Sequence, residues 1–131
     1  MRLIDQFKLI RATILQRAVY INNMLSEMSV PDGISDDISA YKPNWIVVAT
    51  DYLEMDTSLN MITLTYYPQW ETFTDEWTVP IEWLDMTDED IKQTFIQWAT
   101  EQVQAEADRK EKQLKDLAEY LGYGLFKKEG L

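Results

Sequence analysis

The sequence predicts an α+β fold: a long N-terminal helix, a three-stranded antiparallel meander and a long C-terminal helix. Three observations carry this. Apolar residues recur with helical spacing at both ends of the 131-residue chain, the middle is dense in β-branched and aromatic residues, and proline, glycine and aspartate separate these regions. The length and a 46% apolar composition suit one domain with its own core, covering residues 1–131.

In the first segment, residues 1–28, apolar side chains fall at Leu3, Phe7, Ile10, Ile14, Ala18, Ile21, Leu25 and Met28. Steps of three and four place them on one helical face. Core packing is the favoured use of this stripe. Two others stay open: a heptad-like oligomerisation seam through Phe7, Ile14 and Ile21, and a basic helix lying on a membrane surface. The run Ser29-Val30-Pro31-Asp32-Gly33 stops the helix, because proline cannot continue it and Asp-Gly favours a turn. A linker, residues 29–44, follows. Within it Ser35 to Ala40 is long enough for one helical turn, closed by Pro43.

Residues 45–84 read as an acidic antiparallel sheet. Residues 45–53 and 61–67 form the expected hairpin, joined by a polar connector that includes Asp56, Ser58 and Asn60. A third strand is expected within residues 72–81. There Phe73, Trp77, Val79 and Ile81 alternate with Thr72, Thr74, Glu76 and Thr78, and Pro80 marks an edge or an end. Thr87-Asp88-Glu89-Asp90 opens the last helix, residues 87–121, with a threonine cap and three acids that complement the helix dipole. Ile91, Phe95, Trp98 and Ala99 are expected to dock on the sheet, while residues 100–113 project into solvent. Gly122 and Gly124 are expected to stop the helix and begin a tail, residues 122–131.

Charge placement says more than the net charge of −11. Residues 29–99 hold 14 acidic residues against Lys42 and Lys92, so this segment carries −12 and both ends are nearly neutral. A field of that sign repels nucleic acid and attracts a basic protein surface. With no arginine between Ala18 and Asp108, direct nucleic-acid binding is not expected, although strand aromatics can stack on bases. The chain has no histidine and no cysteine, which removes disulfides, the usual zinc sites and triad or thiol nucleophiles. No phosphate-cradling glycine loop is present, and no cofactor is implied. The acids around Asp51 and around Asp88 follow no metal-ligand spacing, so no metal site is expected. A carboxylate-based hydrolase remains an alternative because paired acids can work without histidine, but nothing singles out a pair.

Eleven of the 16 aromatic residues lie between Tyr41 and Trp98, more than one covered sheet face can bury. Exposed tyrosine and tryptophan among carboxylates make anchor points for a basic partner. The expected contacts are Asp51, Glu54, Asp56, Glu71, Asp75 and Glu76, with Tyr67 and Trp70 as anchors. The alternative is that the aromatics form and cover the core while the acids keep the chain soluble.

The acidic aromatic sheet, then Val79-Pro80-Ile81-Glu82-Trp83-Leu84, then an acidic helix start and a Glu/Lys/Gln/Ala-rich helix ending Glu119-Tyr120-Leu121-Gly122-Tyr123, resembles small accessory proteins of tailed bacteriophages. The likeness covers about residues 45–123. It implies a protein of the infected cell's cytoplasm that inhibits a host nucleic-acid-binding defence protein by occupying its basic groove, in the manner of an anti-CRISPR protein. No secretory signal and no membrane span are expected from the pattern of apolar runs. A structural or assembly protein that forms a homodimer through its helices is the alternative from another class.

Overall fold

The computed structural model describes residues 2–48, 50–67 and 74–128, and the side chains as far as residue 122. Helix α1 runs Leu3–Glu27, strands β1, β2 and β3 run Leu53–Ser58, Met61–Tyr66 and Asp75–Pro80, and helix α2 runs Asp88–Lys128. Short 3-10 turns at Asp36–Tyr41 and Ile81–Asp85 link these elements. The sheet is antiparallel in the order β1-β2-β3. The α+β class and the order of elements are as the sequence predicts.

One core holds the parts together. Ala18, Ile21, Leu25 and Met28 of α1 meet Met55, Ile62, Leu64 and Val79 of the sheet and Ile91, Phe95 and Ala99 of α2, with Ile38 and Trp83 from the 3-10 turns. The helical stripe of α1 therefore has two fates. Its second half is buried, whereas Leu3, Phe7 and Ile10 are more than half exposed. Core packing accounts for Ile21, which is fully buried. The seven-residue seam through Phe7, Ile14 and Ile21 is corrected accordingly: Ile14 packs at the core margin and only Phe7 faces solvent.

Two boundaries differ from the sequence expectation. Residues 45–48 and 50–52 are not strand; the first strand begins at Leu53 and includes Asp56 and Ser58, expected in the connector. The reason lies in α1. Asn23 donates from Nδ2 to Val47 O and accepts the Val47 N–H at its Oδ1, both at 2.9 Å, while Asn22 Nδ2 donates to Trp45 O at 3.1 Å. A helix side chain thus satisfies the backbone that a neighbouring strand would otherwise pair. The hairpin turn is the two-residue Leu59-Asn60, with Leu59 in the left-handed region at φ 29°. Leucine there is costly, and the pair lacks the Asn-Gly signature of such turns.

The second difference is the length of α2, which passes Gly122 and continues to Lys128. A glycine costs a helix about 1 kcal/mol relative to alanine, which slows but does not stop a helix already under way. The turn at Gly33 behaves as expected, with φ 84°. So does Thr87, whose Oγ1 accepts the Asp90 N–H at 3.2 Å.

Candidate functional site: the open face of the sheet

Strand register decides which acids stand together. Glu54 pairs with Thr65 and Thr65 with Glu76; one step along, Asp56 pairs with Thr63 and Thr63 with Thr78. Because alternate residues share a face, Glu54, Asp56, Thr63, Thr65, Glu76 and Thr78 line the side opposite Met55, Leu64 and Val79. Residues two apart on a strand are separated by about 7 Å and adjacent strands by about 5 Å, so the three carboxylates form a flat array. Glu54, Asp56 and Glu76 are exposed, whereas Thr65 is only 8% exposed between them. Thr63 and Thr78 pair through their hydroxyls at 3.1 Å, fixing the surface beneath the acids.

Tyr67 stands at the end of this array, 43% exposed. Its hydroxyl is held above the usual tyrosine value of 10.0, chiefly by the charge of Glu54, then by partial burial, a hydrogen bond with Glu54, and the charges of Asp56 and Glu76. All three carboxylates therefore act on one phenol. Among the described residues, no strand residue of the face is basic. Arg11 lies at its rim, along the outer edge of β1, where Nη2 donates to Met55 O at 3.1 Å.

The other expected contacts are placed differently. Asp51 is exposed in the turn before β1. Asp75 pairs with Tyr66 and belongs with Trp77 and Val79, on the side opposite Glu76. Trp70 and Glu71 lie outside the described residues. Among the described residues, no three acids converge on a point that could hold a metal ion, and no helix is long and apolar enough to cross a membrane.

Sequence reasoning missed the basic and amide groups that hold the scaffold. Arg17 donates to Leu84 O at 2.9 Å and Met86 O at 2.7 Å, and its guanidinium lies 5.2 Å from the Tyr20 ring centroid. These contacts tie the segment leading into α2 to α1, and the Arg17–Asp88 ion pair at 3.8 Å reaches the first residue of α2 itself. The only signal for the asparagine contacts was the Asn22-Asn23 pair itself, since asparagine inside a helix is usually there for a hydrogen bond.

Farther along α2, Tyr41 donates to Glu106 Oε2 at 3.0 Å, while its ring meets Trp98 edge-on at 5.7 Å. Residues 100–106 thus engage the 3-10 turn at Asp36–Tyr41 instead of projecting freely; exposure is continuous only from residue 107. The pair titrates at both ends of the pH scale. Tyr41 is raised above 10.0, first by the Glu106 hydrogen bond, and Glu106 is lowered below 4.5, first by the same bond. The raised tyrosine contributes stability that is complete below pH 10.0 and lost as pH rises through its folded value. The lowered glutamate contributes stability that is present above pH 4.5 and lost as pH falls through its folded value. Tyr41→Phe is expected to flatten both limbs, measurable as urea stability against pH; unchanged slopes at both ends would show the bond to be absent in solution.

Fold and site together define an α+β protein whose sheet is covered on one face and acidic on the other. No family model, curated protein or solved structure matches the chain.

Proposed function

We propose that this is a non-enzymatic binding protein whose open sheet face engages a basic surface of another macromolecule. In its most specific form, it is a phage-encoded inhibitor of a host nucleic-acid-binding protein, acting in the cytoplasm, with Glu54, Asp56 and Glu76 standing where phosphates would. The carrying observation is that register brings these three carboxylates and Tyr67 onto one face on which, among the described residues, no strand residue is basic and Arg11 stands only at the β1 rim. A cation on the partner gains from all three, and the tyrosine ring supplies apolar contact beside them. Solvation alone needs charge but not an array of this kind. The test is charge reversal at the three acids, read as partner binding at low and high salt.

Self-assembly is a second reading, favoured by apolar residues that no described residue covers. The line of α2 that docks through Ala99 and Val103 continues past the body through Leu114, Leu117 and Leu121, each more than half exposed. A helix projecting with such a stripe is stabilised by pairing with another. Leu114→Glu with Leu117→Glu is expected to turn a dimer into a monomer in light scattering without lowering Tm. A wild-type chain that is monomeric at its highest soluble concentration would remove this reading.

A further inference from the structure

Hydrogen bonds of the central strand alternate between its neighbours. Tyr67 N–H donates toward β1, to Tyr52 O at 2.8 Å, whereas Asn60 O accepts from Ile81 N–H on the β3 side, also at 2.8 Å. Even-numbered residues of β2 therefore face β3. In β3 this turns Asp75, Trp77 and Val79 inward and directs the N–H and C=O groups of Glu76 and Thr78 away from the sheet. β3 is the last strand in the sheet order, and among the described residues no backbone group bonds to that edge. Pro80, which has no N–H, closes it.

Beside this edge is a hollow of about 140 Å³ walled by Trp77, Trp83, Trp98, Phe95, Met61 and Pro80, with Thr78 also lining it. Its size suits one large apolar side chain. The hollow is open, since Trp98 is 45% and Met61 36% exposed. Acids occupy the neighbouring positions: Glu76 in the strand, Glu82 beyond Pro80 and Glu101 one helical turn from Trp98, all exposed. None of the lining residues is basic.

An unpaired strand edge is a template for another strand, and a tryptophan-lined hollow beside it supplies an anchor point. The charges select what can add. A second copy of β3 brings Asp75 and Glu76 and no basic residue, so self-pairing sets acid near acid. We propose that the outer edge of β3 and the tryptophan hollow form a docking site for an extended basic peptide segment. The segment adds as a fourth strand, places one large apolar side chain in the hollow and sets lysine or arginine beside Glu76 and Glu82. This deepens the reading of a basic partner, on which it rests, by naming the kind of segment and a second place of contact.

The experiment titrates the full chain with the capped peptide Lys-Thr-Lys-Leu-Lys-Thr-Lys, a version with serine for leucine, and one with glutamate for every lysine. Binding is followed by amide and indole NMR signals and by hydrogen exchange. The leucine peptide is expected to shift the indole signals of Trp77, Trp83 and Trp98 and to slow exchange at the Glu76 and Thr78 amides. The serine peptide is expected to bind about tenfold more weakly or worse, and the acidic peptide not at all. Thr78→Pro removes an outward N–H and leaves the backbone ladder to β2 intact, but also loses the hydroxyl pair with Thr63, so Thr78→Val, which loses the hydroxyl alone, is its control. The proline variant is expected to cost about tenfold more in peptide affinity than the valine variant and to melt within a few degrees of it. Shifts confined to Glu54, Asp56 and Tyr67, with no protection at the β3 edge, would overturn this inference while supporting the open-face reading. Absence of binding by the leucine peptide would overturn it as well. Protection of Glu76 and Thr78 on raising protein concentration alone would identify a second copy as the occupant, and that too would overturn it.

Discussion

A chain carrying Glu54→Lys, Asp56→Lys and Glu76→Lys is expected to keep its fold and lose binding to the basic partner proposed for the open face. All three side chains are exposed and none belongs to the core, so their replacement falls among surface changes that move stability by about 0.5 kcal/mol or less each. The change in the local field is far larger, six units of charge on one sheet face. Charged groups on an interface set the association rate and its salt dependence, and like charges brought face to face cost several kcal/mol. Binding is therefore expected to fall by about a hundredfold or more, and the salt dependence of the wild-type complex to vanish or reverse. Calorimetry or pull-down at two ionic strengths reads both. The same variant carries its own internal check at Tyr67. With Glu54 the leading cause of its raised pKa, lysines in place of the acids are expected to bring the hydroxyl down, visible in ultraviolet titration. If partner affinity stays constant while Tyr67 moves as described, the field is real but is not the basis of recognition.

Asn22→Ala combined with Asn23→Ala is expected to cost about 2–4 kcal/mol, enough to lower Tm by roughly ten degrees. Removing the two amides leaves the Val47 N–H and the carbonyls of Trp45 and Val47 without their helix partners, and Asn22 also leaves a space in the core, where it is 0% exposed. Part of this is offset in the wild type, because the buried Oδ1 of Asn22 has no hydrogen-bond partner among the described residues. The segment freed includes Trp45, whose ring stacks on Tyr66 at 5.6 Å and 16°. A change in tryptophan emission should accompany the loss of stability. Asn23→Asp separates the contributions: the acceptor for Val47 N–H survives and the donor to Val47 O does not. A double variant that melts with the wild type would show that residues 45–48 hold their place without the asparagines.

Periodicity made both long helices legible, since apolar residues at intervals of three and four share one face of a helix, whether or not that face is buried along its whole length. The cap at Thr87 and the turn at Gly33 were legible for a local reason: each depends only on a side chain or a φ angle within a few residues. The first strand was not. Trp45 to Val48 is richer in β-branched and aromatic residues than Leu53 to Ser58, yet the second segment pairs with β2 and the first does not. What decided between them was an amide pair more than 20 residues earlier in the chain, together with a tight turn at a leucine that local preference disfavours. The end of α2 differs from the sequence expectation for the converse reason. Glycine favours a stop locally, but nothing lies within 4 Å of where a Cβ on Gly122 would stand, and among the described residues no neighbouring element forces the chain to turn there.

For the site the division is the same. The sequence by itself determined that the acid lies in the middle of the chain, that it has no basic counterpart there, and that it accompanies a sheet rich in aromatics. Charge and composition are additive, so they can be read without coordinates. Only the tertiary structure decided which acids act together: Glu54, Asp56 and Glu76 with Tyr67 on the open face, Asp75 on the other, and the tryptophans around a hollow at the β3 edge. A strand changes face with every residue, so a register shift of one would exchange the two sets, and register is set by long-range pairing and the packing of the opposite face.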